Sequence, residues 1–445
     1  MRKSYGWTVC VNRYCRFRLK SQRVCDAATR IEKGNFLKFR ALVCTIAVLF
    51  AGINASLSVS AASGTVAPPV PAAAADPTYS LKNDPEVIIG EKAAAQEAKQ
   101  AKVLTSGPLW ERVNRIGQVI AAAADKYPIP AMFGSSVLKQ FHYTFHVVDN
   151  PDVNAFSLPG GFIYVNTGLL NFVHSDDELA AVLAHEIGHA DHHHVITLMR
   201  EQQKAQSILT PIQIAALAMI LSHGNNDMPA AGFEVLQGSE LYGIARINGY
   251  SVRAEEDADH TGMMLLTHTS FNPVAMYTFM VRLAAYERAH GDTNLGIYRD
   301  HPPTPQRIRA ALAVIQQLNL PIRISQVDPT WQAQVKALTV NGQNVAQISI
   351  KDIVVCNMVA EGGQSAVQRA TTTAKNLDYL VDRDLAPYEV RADTESGKVL
   401  ARGITIADKA DADAANLTIK GLSSEIGAAI VQVDQRRQME FGVPQ

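Results

Sequence analysis

The sequence predicts an α+β fold in two parts, and three observations predict it. Residues 86–102 and 109–125 are rich in Ala, Glu, Lys and Gln, all good helix formers. Short alternating or aromatic runs bounded by turn residues read as strands. From Pro321 onward the pattern changes to short strands interleaved with two helices. At 445 residues, 47% hydrophobic and 19% charged, the chain is long enough for two or three domains and has an ordinary globular composition.

In chain order, the basic Lys38-Phe39-Arg40 precedes an apolar run, Ala41 to Ile53, and the small residues Ser58 to Ala62. A positive segment, a short apolar core and a small-residue cleavage site make a secretory signal, so residues 1–62 are read as a signal peptide or N-terminal anchor. The apolar run is short for a membrane span. Residues 63–80, with Ala67-Pro68-Pro69 and Pro71 to Ala75, have the composition of a linker. After the two helices, Phe141 to Val148 alternates and carries aromatics, as a strand does, and Asp149-Asn150-Pro151-Asp152 is a turn. Phe162-Ile163-Tyr164-Val165 is a second strand, entered through Pro159-Gly160-Gly161. Asp176-Asp177-Glu178 supply acidic charge for the start of a helix over 178–194. Ile208 to Leu221 is apolar but too short to span a bilayer, so a buried or substrate-facing helix is expected, followed by a loop over Ser222 to Gly238. Helices are expected again over 251–268 and 273–290. In the C-terminal part, 346–355, 387–393 and 398–406 read as strands, and 364–381 and 423–438 as helices. The predicted domains are residues 81–320 and a separate small α+β domain, 325–445, that carries no chemical motif.

Charge narrows the partners. The first 40 residues hold 11 Lys and Arg against 2 Asp and Glu, which leaves 30 basic and 40 acidic of the chain's 41 and 42. The acidic remainder gives no support to nucleic-acid binding. Four of the five cysteines, Cys10, Cys15, Cys25 and Cys44, fall in the leader, so only Cys356 follows it. Beyond the leader neither an internal disulfide nor a cysteine-based metal site can form.

The chemistry centres on His185-Glu186-Ile187-Gly188-His189. Residues four apart on a helix share a face, so His185 and His189 can offer two imidazole nitrogens to one ion. Zinc suits that donor set. Glu186, one residue along, can reach a zinc-activated water without being a ligand and take its proton as general base. Such a five-residue pattern arises by chance in roughly one chain of this length in a hundred. Downstream, Glu255-Glu256-Asp257-Ala258-Asp259 sits on an expected helix, where Glu255 and Asp259 share a face. Glu255 would complete a two-His, one-Glu set with its fourth position open, with Glu256 as the rival ligand. Asp259 could fix a ligand histidine's tautomer by bonding its free nitrogen. A strand beside the helix, Phe162 to Val165, could pair with an extended peptide by β-augmentation.

Residues 84–310 resemble the HtpX-like family of gluzincin metallopeptidases, which includes the CAAX prenyl endopeptidases. The motifs that carry the resemblance are Asn154 to Gly168, Glu178 to His194, Ser251 to Gly262, and His301-Pro302-Pro303 to Arg307-Ile308. The nearest branch is the exported, BepA-like one, since the multiple membrane spans of the integral members are missing. The resemblance implies a zincin-like α+β domain, with an active-site helix, a small mixed sheet and an edge strand over the cleft. It implies one zinc ion per chain on His185, His189 and Glu255, with Glu186 as base and Asp259 in support. His301 matches a histidine that either fills the fourth coordination position in an inactive state or, like Arg307, stabilises the developing oxyanion. Val252 stands where the family has arginine. His193 stands where it has another, in a run His192-His193-His194 expected to be a polar helix end rather than a second metal site. No tetratricopeptide period appears after residue 325.

The expected activity is therefore zinc-dependent endopeptidase cleavage of extended protein segments, in the periplasm or cell envelope, for protein quality control. Partners would be protein or peptide substrates, with membrane or envelope-protein contact. The alternative is an autoinhibited or non-catalytic zinc-bound chaperone or scaffold whose C-terminal domain is a binding module.

Overall fold

The computed structural model describes residues 81–205, 250–291, 295–340 and 342–441. The expected leader, the linker, the apolar helix over 208–221 and the loop over 222–238 lie outside the described residues. Residues 70–445 form one compact unit.

The two expected N-terminal helices are α1 (Pro85–Gln100) and α2 (Pro108–Lys126). Each opens with proline in the first turn, where a missing N–H costs nothing. Asp84 caps α1 by accepting from Glu86 and Val87. A four-stranded mixed sheet follows, with β1 (Val103–Leu104), β2 (Thr144–Val148), β3 (Ala155–Leu158) and β4 (Phe162–Asn166) in the order β1-β2-β4-β3. β2 and β4 run parallel, and β3 runs antiparallel to β4. The hairpin joining β3 to β4 turns on Gly160 and Gly161, both at positive φ (81° and 90°).

This topology corrects one expectation. Phe162 to Val165 does form a strand, but β4 lies inside the sheet with a neighbour on each side, so it cannot accept a peptide as a further strand. The edge is β3. Asn166 donates to Asn154 O at 3.0 Å, and antiparallel pairs alternate. The backbone groups of Ala155 and Ser157 therefore point away from β4. Among the described residues no strand pairs with that edge.

After a short helix α3 (Thr167–Phe172) comes α4 (Asp176–Asp191), buried on every side from Glu178 to Ala190. Ser175 caps it, and Asp176, Asp177 and Glu178 place acidic charge at its positive end. Its last turn ends at His193, held at φ 54°, from which α5 (His194–Ala205) sets off in a new direction. Helix α6 (Val252–Leu266), capped by Ser251, packs along α4 through glycine contacts. A Cβ on Gly262 would meet the Ala184 carbonyl carbon and the His185 nitrogen at 3.0 Å, and one on Gly188 would meet Ala258 O at 3.1 Å. The remaining helices of this part are α7 (Val274–His290), the short α8 (Gly296–Asp300) and α9 (Pro305–Gln317).

The C-terminal part starts with the single turn α10 (Ile324–Val327). It holds two three-stranded antiparallel sheets, β5 (Gln334–Val340) with β6 (Gln343–Ile350) and β7 (Ile353–Met358), and β8 (Val390–Asp393) with β9 (Lys398–Ala401) and β10 (Ile404–Asp408). Helices α11 (Ala366–Val381), α12 (Lys409–Ala414) and α13 (Ile419–Phe441) cover them. Two stretches expected as single strands, 346–355 and 398–406, are each split by a tight turn, at Lys351 (φ 53°) and at Arg402-Gly403 (φ 48° and 79°). Cys356 is buried in β7, where burial pushes its thiol up to about 12 and leaves it unreactive. One apolar core runs from α2 through α4 and α7 to α13, taking in Ile324, Val327 and Trp331 on the way. No helix among the described residues is long and apolar enough to cross a membrane.

Candidate metal centre

The four-residue spacing of His185 and His189 on α4 brings their Nε2 atoms to 2.9 Å of each other. Because the glycine contacts bring α6 close, Glu255 reaches the same point, with Oε1 3.3 Å from His189 Nε2 and Oε2 3.5 Å from His185 Nε2. His301, just after α8, adds Nδ1 at 3.2 Å from His185 Nε2 and 3.1 Å from Glu255 Oε1. These four residues offer ligand atoms that all lie within 4.8 Å of one another, and all four are buried. Glu256, the rival ligand, is half-buried one step around the helix and does not join them.

The outer nitrogen of each α4 histidine has its own partner. His185 Nδ1 lies 2.9 Å from Asp259 Oδ1. His189 Nδ1 lies 2.9 Å from His194 Nδ1, and His194 Nε2 lies 3.2 Å from Phe133 O and 3.1 Å from Asp257. A ring nitrogen facing a carbonyl must donate, so His194 accepts from His189. Both ligand imidazoles therefore carry their proton on the outer nitrogen and turn a lone pair inward. Two such lone pairs and a carboxylate meeting at one buried point repel each other unless a cation lies between them, so the residues fit a metal ion.

The electrostatics agree. Burial would raise the Glu255 carboxyl, but the Arg307 guanidinium and the surrounding histidines outweigh it and hold it well below its usual range. Burial and the neighbouring His185 push His189 well down, towards the neutral form a ligand needs. At His185 burial works downward, yet bonds to Asp259 and Glu255 raise it to about 10. The carboxylates that stabilise a proton there stabilise any cation shared with its nitrogen.

Glu186 is 1% exposed, and its Oε2 has no hydrogen-bond partner among the described residues, while Oε1 lies 3.5 Å from His301 Nε2. A buried carboxylate oxygen without a partner is suited to receive a proton from a water. Arg307 occupies a different place from the one expected of an oxyanion donor. It lies behind the centre, forked onto Asp259 through Nε and Nη2 at 2.8 Å each, 2.7 Å from Glu255 Oε2 and 3.0 Å from Pro302 O.

The histidine run is not a polar helix end, because all three side chains are buried. His192 bonds Asp257 and Ile129 O, and His193 bonds Glu86 at 2.7 Å and Val137 O at 2.7 Å. His192, His194 and Asp257 also form a close trio, but Nε2 of each histidine already meets a backbone carbonyl, and His194 Nδ1 faces His189. Sequence reasoning missed Tyr250, whose ring stacks on His189 at 3.9 Å, and the parts played by His194 and Asp257. The histidine run itself was the available signal.

Residues 112–315 match the profile of Peptidase family M48. The beta-barrel assembly-enhancing protease of Yersinia pestis is 28% identical over 208 residues, 47% of this chain and 39% of its own. That of Escherichia coli is 23% identical over 253 residues, 57% of this chain and 48% of its own. The mitochondrial metalloendopeptidase OMA1 of Schizosaccharomyces pombe is 32% identical over 181 residues, 41% and 48%. The chain thus spans between two-fifths and half of the length of these relatives. The matched segment contains the whole cluster of His185, Glu186, His189, Glu255 and His301, so the part of the chain that is similar to peptidase family M48 is the part that holds the candidate metal centre.

Proposed function

We propose that the protein is a zinc-dependent endopeptidase that cleaves peptide bonds in extended segments of other proteins. The observation that carries this reading is the convergence of His185, His189 and Glu255 beside the partnerless oxygen of Glu186. His185 Nε2, His189 Nε2 and a Glu255 oxygen would hold one ion, and two imidazoles with one carboxylate suit zinc. Zinc held there supplies Lewis acidity, polarising a carbonyl and lowering the pKa of water. Glu186 accepts a proton from the attacking water at its free oxygen and returns it to the leaving amine. Asp259 and His194 fix the ligand rings, and Arg307 fixes Asp259 and Glu255. The outward backbone groups of Ala155 and Ser157 on β3 would hold the substrate as an added strand.

Envelope proteins are the substrate class we infer, with export to the periplasm or cell envelope. The support is the leader composition and relatives named as beta-barrel assembly-enhancing proteases. A second reading has one observation in its favour. His301 Nδ1 sits among the other three ligand atoms, where a fourth ligand would be, so this arrangement is a resting form that opens before substrate enters.

The test measures bound zinc and casein cleavage in the parent, Glu186→Gln and His301→Ala. We expect one zinc in the parent and in Glu186→Gln, with cleavage reduced at least about hundredfold in the latter. A parent that binds no metal overturns the proposal. Faster cleavage by His301→Ala supports the resting form, and slower cleavage supports oxyanion stabilisation by His301.

A further inference from the structure

At the start of α4, three side chains from separate stretches of the chain meet. His174 lies in the link between α3 and α4, Glu178 in the first turn of α4, and Asp328 directly after α10 in the C-terminal part. One nitrogen of His174 and one oxygen each of Glu178 and Asp328 all lie within 4.8 Å of one another. His174 Nδ1 is 3.0 Å from Asp328 Oδ1. Both carboxylates are fully buried, while the His174 side chain is 29% exposed and gives the cluster a way in from solvent. Seven residues, about 10 Å of helix, separate Glu178 from His185, so this cluster is distinct from the centre described above. The junction is also held in place, because Ser175 Oγ donates to Val327 O at 2.6 Å.

Two carboxylates buried side by side call for positive charge, and the described residues share it unevenly. Arg282 serves Glu178 alone, with Nη2 2.6 Å from Oε2 and Nε 3.3 Å from Oε1, and its Nη1 donates to Phe172 O. Lys351 bonds Thr330 Oγ1 and pairs with Glu440 at 3.6 Å. Asp328 Oδ1 accepts from Thr330 N and Oγ1 at 2.9 and 2.7 Å, but its buried Oδ2 has no hydrogen-bond partner among the described residues. Such an oxygen marks a missing donor or cation. His174 differs from His192 and His194, whose Nε2 atoms face carbonyls. Its partly exposed ring can carry the proton on Nε2 and turn the Nδ1 lone pair towards Asp328. A lone pair against a carboxylate is favourable only with a cation shared between them. We propose that His174, Glu178 and Asp328 form a second, weaker site for a divalent transition metal ion, which ties the start of α4 to the C-terminal part. One imidazole and two carboxylates suit zinc or manganese. Arg282 shares Glu178, and the positive end of α4 opposes a cation, so the site fills only when free metal is raised. Protein purified without added metal then carries only the ion of the main centre.

The test titrates the full chain with zinc beyond the ion of the main centre, followed by calorimetry and by Tm. Cys10, Cys15, Cys25 and Cys44 also offer thiols to zinc, so the site is read as the difference between parent and variants. His174→Asn keeps a donor for Asp328 but loses the imidazole, and Asp328→Asn keeps an acceptor for Thr330 but loses the charge. Each should retain the first ion and bind the further one at least about tenfold more weakly than the parent does. The rise in Tm that added zinc gives the parent should shrink in both. A purely structural hydrogen bond would lower Tm with and without zinc alike. Circular dichroism establishes folding, and if Asp328→Asn unfolds, His174→Asn at the partly exposed position decides. Equal zinc binding and an equal rise in Tm in the parent and the folded variants overturn the site. So does a further ion that the parent holds only above about 1 mM free zinc, an adventitious ion only. A main centre without metal leaves the difference between parent and variants as it is, so this proposal and the peptidase reading fail separately.

Discussion

Arg307 donates three hydrogen bonds, two to Asp259 and one to Pro302 O, pairs with Glu255, and is 3% exposed. A lysine offers one point charge and cannot reproduce that fork. Arg307→Lys should lower zinc affinity by about 10- to 100-fold, as loss of an outer partner of a metal ligand does, read by competition with a chelator. Arg307→Ala should cost about 3–5 kcal/mol of stability, because buried Asp259 loses its forked partner and Glu255 its guanidinium. Retained zinc affinity in the lysine variant, with only kcat reduced, would return Arg307 to an oxyanion role. His194→Ala should likewise loosen zinc by about tenfold or more without touching substrate. Legibility at this scale follows distance along the chain. His185, Glu186 and His189 could be read because a helix fixes their relations locally, and Glu255 with Asp259 for the same reason. Tyr250, His194 and Asp257 could not, since their parts depend on how α4, α5 and α6 cross.

The crossing of α4 and α6 is set by two small residues, and helix propensity gives no sign of it. Gly262→Ala should force the helices apart and cost about 1–3 kcal/mol, the usual penalty of overpacking, with a matching loss of zinc affinity. Thermal denaturation and chelator competition check both. Among the strands, β2 was legible from alternation and β4 from its apolar, aromatic run after Pro159-Gly160-Gly161, but β3 was not, being four wholly buried residues with no alternation to show. The two hairpins of the C-terminal part were read as single strands because Lys351-Asp352 and Arg402-Gly403 interrupt the pattern for only two residues. Tertiary pairing also explains His193. Its imidazole joins the turn after α4 to Glu86 of α1, with Lys139 3.0 Å from the same carboxylate oxygen. Burial lowers the histidine, but Glu86 outweighs it and raises it above 6.5, while burial raises Glu86 and His193 with Lys139 bring it below 4.5. The histidine's contribution is complete below about pH 6.5 and disappears as pH rises through its raised folded value; the carboxylate's is complete above about pH 4.5 and disappears as pH falls through its lowered one. The Tm difference between the parent and His193→Gln should therefore be largest near pH 5–6 and shrink towards alkaline pH. A difference that grows with pH would contradict the pairing.

For the molecule as a whole, the continuous core has a testable result. Helix α7 packs against α9 and α13 while its Met280 and Leu283 line a recess beside Glu186, so the C-terminal part supports the helix that shapes the site. Ending the chain after residue 320 should expose this core, lower Tm and raise dye binding to apolar surface, and the intact protein should unfold in one cooperative transition. A truncated chain with unchanged Tm would show that the two parts fold independently. The unpaired edge of β3 bears on how the protein behaves in company. Once the groups that bury β3 move aside, an edge with no partner strand among the described residues is a template for an extended chain, including a loop from another copy of the same protein. Most proteins with such an edge risk aggregation, but on the proposed function the visiting segment would be brought to Glu186, the proposed base. Crowding would then be answered by self-digestion, with nicked chains accumulating as the square of protein concentration, and the proposed resting form, kept closed, would protect the protein from itself.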